Sequence, residues 1–125
     1  MKTILVTGAN GQLGKCIQKH SKKYPSYKFL FCSSRELDIT HQTSLDNIFS
    51  EHEVDYCINS AAYTNVEQAE NEKKKAYLVN AEGARNVAEA CKEHNATLIH
   101  ISTDYVFNGQ AQEPYKETDE VDPIN

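Results

Sequence analysis

The sequence predicts an α/β fold built on a doubly wound parallel sheet. Three observations predict it: short apolar runs rich in β-branched and aromatic residues, helical spacing of apolar residues between those runs, and a glycine-rich turn directly after the first run. With 125 residues the chain has room for about one domain and one core.

Strand one is expected over Thr3 to Thr7, apolar enough to suit a strand buried on both faces. A first helix follows, with Leu13, Ile17, His20 and Tyr24 on one face. Strand two is expected over Lys28 to Cys32. In the second helix, Leu45, Ile48 and Phe49 form the apolar face and Thr40 or Thr43 is available as N-cap. Strand three is expected over Val54 to Asn59. A third helix, from about Asn71 to His94, carries Ala76, Asn80, Ala84, Val87 and Cys91 at steps of three and four, which places Asn80 inside an apolar stripe. A buried amide needs partners, so Asn80 is either a tie to nearby backbone or part of a site. The charged run Glu67 to Lys75 reads as the solvated start of that helix, acids before bases as the helix dipole prefers. Strand four is expected over Thr97 to Ser102, and Asp104 to Asn125, with Asn108-Gly109, Pro114 and Pro123, reads as a surface loop.

Lysine and arginine total 13 against 18 acids, a formal charge of -5, which argues against nucleic acid or an anionic membrane as partner. The apolar run at the N-terminus is too short for a signal segment or a membrane span, so a cytoplasmic chain is expected. Cys16, Cys32, Cys57 and Cys91 are scattered, without a CxxC pair or histidines at zinc-finger spacing, and are expected to be reduced and mostly buried. The histidines His20, His41, His52, His94 and His100 share no metal or triad spacing, so no metal is assigned.

Chemistry is expected at Thr7-Gly8-Ala9-Asn10-Gly11-Gln12-Leu13-Gly14. A dinucleotide pyrophosphate can sit on a helix N-terminus only where the turn is tight and free of side chains, and Gly8, Gly11 and Gly14 allow that approach. In the strand order 3-2-1-4, strand four neighbours strand one, so Ser102-Thr103-Asp104-Tyr105 would face the glycine turn across the switch point. The alternative is a turn capped by its own hydroxyls and carboxylate. At the end of strand two, Cys32-Ser33-Ser34-Arg35 offers hydroxyls and a guanidinium where an acid would favour NAD. This leans toward NADP(H), with NAD(H) kept open by Glu36 and Arg35 open as an ordinary surface charge.

TGANGQLG at 7 to 14 resembles the GxxGxxG cofactor loop of extended short-chain dehydrogenases. Glu36-Leu37-Asp38-Ile39-Thr40, the segment Asn59 to Glu67, Val79-Asn80-Ala81 and Ser102-Thr103-Asp104-Tyr105-Val106-Phe107 resemble, in order and spacing, the dTDP-4-dehydrorhamnose reductase family. The resemblance runs along essentially the whole chain and implies an NAD(P)-binding Rossmann domain. It implies that Gly8, Asn10, Gly11, Gln12, Leu13 and Gly14 hold the pyrophosphate, that Asp38 and Ile39 hold the adenine, and that Ala61, Ala62, Tyr63 and Thr64 hold the ribose and nicotinamide side. Asn80 matches an asparagine near the cofactor, Thr103 the catalytic hydroxyl, and Asp104 and Tyr105 lie against the dTDP-sugar substrate. The family pattern continues beyond Pro-x-Asn into a YxxxK helix and a sugar-binding region, whereas this sequence ends at Pro123-Ile124-Asn125. Residues 1–125 are thus expected to be the N-terminal part of the domain, inactive alone. Strand four, exposed at an edge, would favour a homo-oligomer. Cys16 stands where some members carry a glutamate linked to metal-bridged dimers, so neither metal nor that dimer is carried over. Two other activities share much of this pattern: a non-catalytic NADP-binding regulatory subunit of methionine adenosyltransferase, and a nucleotide-sugar epimerase or dehydratase.

Overall fold

The computed structural model describes all residues from Met1 to Asn125. Four parallel strands form one sheet: β1 (Lys2–Thr7), β2 (Tyr27–Cys32), β3 (Tyr56–Asn59) and β4 (Thr97–His100). Helix α1 (Gln12–Ser21) joins β1 to β2 and α2 (Gln42–His52) joins β2 to β3. Between β3 and β4 run α3 (Val66–Asn71), α4 (Lys73–Tyr77), a π-helical turn (Leu78–Gly83) and α5 (Ala84–Glu93). The segment after β4 contains turns but no helix or strand, as its Gly, Pro and Asn content predicts.

The strand order is β2-β1-β3-β4, which corrects the expected 3-2-1-4. β1 pairs with both β2 and β3, and β4 pairs with β3 alone. The reason lies in burial: Leu5, Val6 and Thr7 are all fully buried, so β1 takes a central place with neighbours on both sides. β2, whose first residues are exposed, sits at the edge.

Pairing register assigns the two faces. Leu5, Leu30, Cys57 and Leu98 align across the strands and meet Leu45 and Phe49 of α2 and Val87, Ala90 and Cys91 of α5 in the main core. Fully burying a side chain such as Leu5 or Phe49 contributes roughly 1.5–3 kcal/mol. The opposite face, with Ile4, Phe29 and Ile58, is met by Leu13, Ile17, His20 and Tyr24 of the α1 segment, the face expected from sequence, and together they line an open apolar groove. Of the four cysteines, all unpaired, Cys32, Cys57 and Cys91 are buried and Cys16 is exposed.

The helix expected over Asn71 to His94 is interrupted. Its first turns break at Glu72, and the π turn inserts an extra residue per turn before α5 restores ordinary spacing. The stripe is therefore out of phase: Val87 and Cys91 are buried but Asn80 is exposed, correcting its expected burial. Neither Thr40 nor Thr43 caps α2. Its N-cap is His41, without a side-chain bond, because Thr40 is committed to Asp38.

Candidate functional site

The site is built where β1 and β3 end side by side. Gly8 has φ +61°, a left-handed conformation that favours glycine, and a Cβ there would stand 2.7 Å from Ala61 N and from the carbonyl of Ser60. The turn after β1 and the turn after β3 are in backbone contact. Side chains lock that contact. Ser60 Oγ donates to Thr7 O at 2.5 Å, Ala61 N–H donates to Thr7 Oγ1 at 3.3 Å, and Thr7 Oγ1 donates to Asn59 Oδ1 at 2.6 Å. Asn59 Nδ2 lies 3.2 Å from His100 Nδ1, which extends the chain of polar contacts to β4. Thr7 and Asn59 are buried, so this network holds the strand ends in fixed register.

Above it, α1 begins at Gly11, whose lack of a side chain leaves the helix end without a side-chain cap. Lys15 N–H is the first amide returned to the helix, donating to Gly11 O at 3.0 Å, while those of Gln12, Leu13 and Gly14 have no acceptor within the chain. Gly14 is pressed against the turn: a Cβ there would stand 2.5 Å from Gly8 O and 2.6 Å from Ala9 Cα. Ala9 N–H donates to Cys32 O at 3.1 Å and Gln18 Nε2 donates to Ala9 O at 2.8 Å, fixing the loop from both sides. Free donors, the positive dipole end and a side-chain-free turn fit a diphosphate.

The end of β2 lies on the far side of β1. Arg35 is exposed and makes no ion pair. Glu36 turns back so that its carboxylate accepts from Ser33 N–H at 3.1 Å, and this bond holds its pKa below the ordinary carboxylate value. Asp38 Oδ1 accepts from both Thr40 N–H and Thr40 Oγ1, at 2.9 and 2.7 Å, which lowers its pKa and closes a turn ahead of α2. Ile39 points into the core, packed on the spot where Gly83 has no side chain, and its carbonyl accepts from Asn86 Nδ2.

Tyr63 and Thr64 lie in the loop after β3. Asn80, from the π turn, grips that loop at two points: Tyr63 N–H donates to Asn80 Oδ1 at 2.7 Å, and Asn80 Nδ2 donates to Tyr63 O at 3.0 Å. Between the two readings its position left open, the structure shows the tie to backbone. The Tyr63 hydroxyl donates to Glu72, which raises the phenol's pKa, and Lys75 Nζ sits 5.6 Å from the ring centroid.

Ser102 to Tyr105 does not border the glycine turn, because β3 stands between β1 and β4. With strands about 4.8 Å apart, the segment is two strand spacings away rather than one. Thr103 Oγ1 accepts from Tyr105 N–H at 3.1 Å and donates toward Asp104 Oδ1 at 3.4 Å, a self-capped turn whose residues are exposed. The structure thus gathers Gly8 to Gly14 with Ala61 to Thr64 and Asn80, and leaves Thr103, Asp104 and Tyr105 at its rim. No individual role was assigned from sequence to Gln18, or to Thr7, Asn59 and Ser60, although these last three lie within the segments 7 to 14 and 59 to 67 that carry the resemblance; polar residues at the ends of otherwise apolar strands were the available signal.

A family model described as the RmlD substrate binding domain matches residues 1–125, the whole chain. The chain belongs to the RmlD substrate binding domain family. The dTDP-4-dehydrorhamnose reductase of Aggregatibacter actinomycetemcomitans is 43% identical over 124 residues, covering 99% of this chain and 42% of the relative. The spore coat polysaccharide biosynthesis protein SpsK of Bacillus subtilis is 42% identical over 123 residues, covering 98% of this chain and 43% of that protein. Among solved structures, the dTDP-4-dehydrorhamnose reductase of Bacillus anthracis in complex with NADP superposes with a TM-score of 0.93 at 42% identity, over 100% of this chain and 45% of that one. The Rossmann-type fold expected from the motif is therefore shown, and the chain spans less than half the length of these relatives.

Proposed function

We propose that this chain is the cofactor-binding part of an NAD(P)H-dependent dTDP-4-dehydrorhamnose reductase, which reduces the C4 ketone of dTDP-4-dehydro-L-rhamnose to dTDP-L-rhamnose. The observation that carries the reading is the uncapped N-terminus of α1, held against the Ser60–Ala61 turn by glycines that leave no room for a Cβ. Membership of the family and the NADP complex of the Bacillus anthracis reductase support it.

In this reading the free amides of Gln12, Leu13 and Gly14 bind the pyrophosphate, with Gly8, Asn10 and Gly11 shaping the turn. Arg35, unpaired beside Ser33 and Ser34, faces the 2'-phosphate of NADP(H) and makes that cofactor preferred over NAD(H). The side chain of Ile39 is spent in the core, which leaves the adenine to its backbone and to Asp38. Ala61, Ala62, Tyr63 and Thr64 flank the ribose and nicotinamide, and Asn80 acts by fixing that loop. When bound, the cofactor supplies the hydride that reaches C4. Thr103, still accepting from Tyr105 N–H, turns its hydroxyl proton from Asp104 to the C4 oxygen, while Asp104 and Tyr105 lie against the dTDP-sugar. Proton donation to that oxygen belongs, by resemblance, to the tyrosine of a YxxxK helix beyond Asn125.

We further propose a cytoplasmic homo-oligomer. No helix is long and apolar enough to cross a membrane. The test of function is NADPH consumption by the full-length protein with dTDP-4-dehydro-L-rhamnose, with the product identified by mass and NMR. Formation of dTDP-L-rhamnose is expected. Tight NADPH binding without turnover of the sugar nucleotide would reject the reductase reading.

A further inference from the structure

Away from the nucleotide site, three donor side chains converge between α2 and α5. Asp46 comes from the second turn of α2, and Glu93 and His94 from the end of α5, the two helices that cover the main core. One ligand atom from each lies within 4.8 Å of the other two, and His94 Nε2 stands 3.9 Å from Asp46 Oδ1. That distance is too long for a hydrogen bond. Asp46 Oδ1 is sealed from solvent and has no hydrogen-bond partner, although the rest of its side chain is partly exposed. A carboxylate oxygen cut off from water and left without a donor is unfavourable, and a cation relieves it.

The surroundings favour a cation. The site sits at the C-terminal end of α5, where the helix dipole is negative and two carboxylates add to it. The His94 ring is held in place by Phe49, with centroids 5.6 Å apart, so its Nε2 is aimed rather than free to wander. At metal–ligand distances of about 2.0–2.2 Å, two ligands of a tetrahedral ion lie about 3.3–3.6 Å apart. Bringing Asp46 and His94 to that spacing needs about half an ångström of side-chain rotation. One imidazole with two carboxylates suits a borderline ion such as Zn2+ and does not suit Ca2+ or Mg2+, which take oxygen donors alone.

We propose that Asp46, Glu93 and His94 form a structural site for a divalent transition-metal ion of the zinc class, clamping α2 to α5. The site is remote from the cofactor. α5 leads through Asn95 and Ala96 into Thr97, at the amino end of the sheet, whereas Gly8 and Ser60 stand at the carboxyl end. An ion here stabilises the core face and takes no part in hydride or proton transfer, so the proposal is independent of the reductase reading.

The test is calorimetric titration of metal-stripped full-length protein with ZnCl2, paired with thermal melts. A Cys16→Ser background removes the exposed thiol that stands one helical turn from His20. One equivalent of Zn2+ is expected to bind and raise Tm, and MgCl2 to do neither. Asp46→Asn, Glu93→Gln and His94→Gln are each expected to weaken Zn2+ binding by more than the roughly 10–100-fold seen when an outer-shell partner of a metal ligand is lost. Glu93 is exposed, so its variant tests the site without disturbing the core. Absence of stoichiometric binding in the parent, or unchanged affinity in Glu93→Gln or His94→Gln, would overturn the proposal.

Discussion

At the carboxyl ends of β1 and β3, backbone rests on backbone: Gly8 touches Ser60 and Ala61, Gly14 touches Ala9, and buried Thr7 and Asn59 tie the strands beneath them. At the end of β4, residues 101 to 105 are all exposed and Thr103 bonds only to its own turn. The first region is finished as it stands, with free amides already aimed outward. The second offers the right chemical groups but spends them on itself. Under the proposed function, cofactor binding would draw on geometry that this chain fixes unaided, whereas catalysis would depend on a segment that must exchange an internal bond for one to substrate.

The comparison can be broken from either side. In the full-length protein Thr103→Val is expected to lower kcat by about 10²–10³-fold, the scale of losing one hydrogen-bond donor to a developing oxyanion, with NADPH affinity nearly unchanged. Normal turnover would confine Thr103 to turn capping. Gly14→Ala is expected to do the opposite. Its new methyl must displace the Gly8 carbonyl and Ala9, strain of about 1–3 kcal/mol, and equilibrium titration should show NADPH binding weakened roughly 10–100-fold. Arg35→Ala sharpens the reading of the adenine end: NADPH affinity should fall roughly tenfold and NADH affinity stay level, matching the loss of a charge-assisted hydrogen bond of about 1.5 kcal/mol. An equal effect on both cofactors would return Arg35 to the surface.

The smallest effect lies at the opposite end of the sheet and serves as a control. Asp55 accepts from Thr3 N–H at 2.8 Å and from Lys2 Nζ at 2.9 Å, and these bonds hold its pKa below the ordinary value. With a folded value below the unfolded value of about 3.9, its contribution is complete above about pH 4 and is lost as pH falls through the depressed value. Asp55→Asn should therefore unfold at lower urea concentration at pH 7, the gap to the parent should narrow below about pH 4, and NADPH affinity should not change.

Much of this was legible locally. The apolar run Thr3 to Thr7 and the glycines after it announce a strand, a turn and a helix start within a dozen residues, because each depends on side-chain type and immediate spacing. Sheet order was not legible. Whether Val54 to Asn59 or Thr97 to Ser102 lies beside β1 is decided by which pairing buries Leu5, Val6 and Cys57, a long-range competition that no window contains. The 3.6-residue spacing through Asn80 also misled, since a single π turn shifts the phase while leaving the composition helical. That shift frees Asn80 to reach Tyr63. Likewise Thr40 looked like a helix cap by type, but Asp38 two residues earlier captures both its amide and its hydroxyl.

Hydrogen exchange of the backbone amides with and without NADPH tests most directly whether the cofactor sits between β1 and β3 on the end of α1. The structure leaves the amides of Gln12, Leu13 and Gly14 without acceptors, so these should exchange freely in the apoprotein and become protected when NADPH binds, together with residues 61 to 64. The amides of 102 to 105 should change little until a sugar nucleotide is added. Protection by NADPH at 102 to 105 with none at 12 to 14 would contradict this placement of the cofactor.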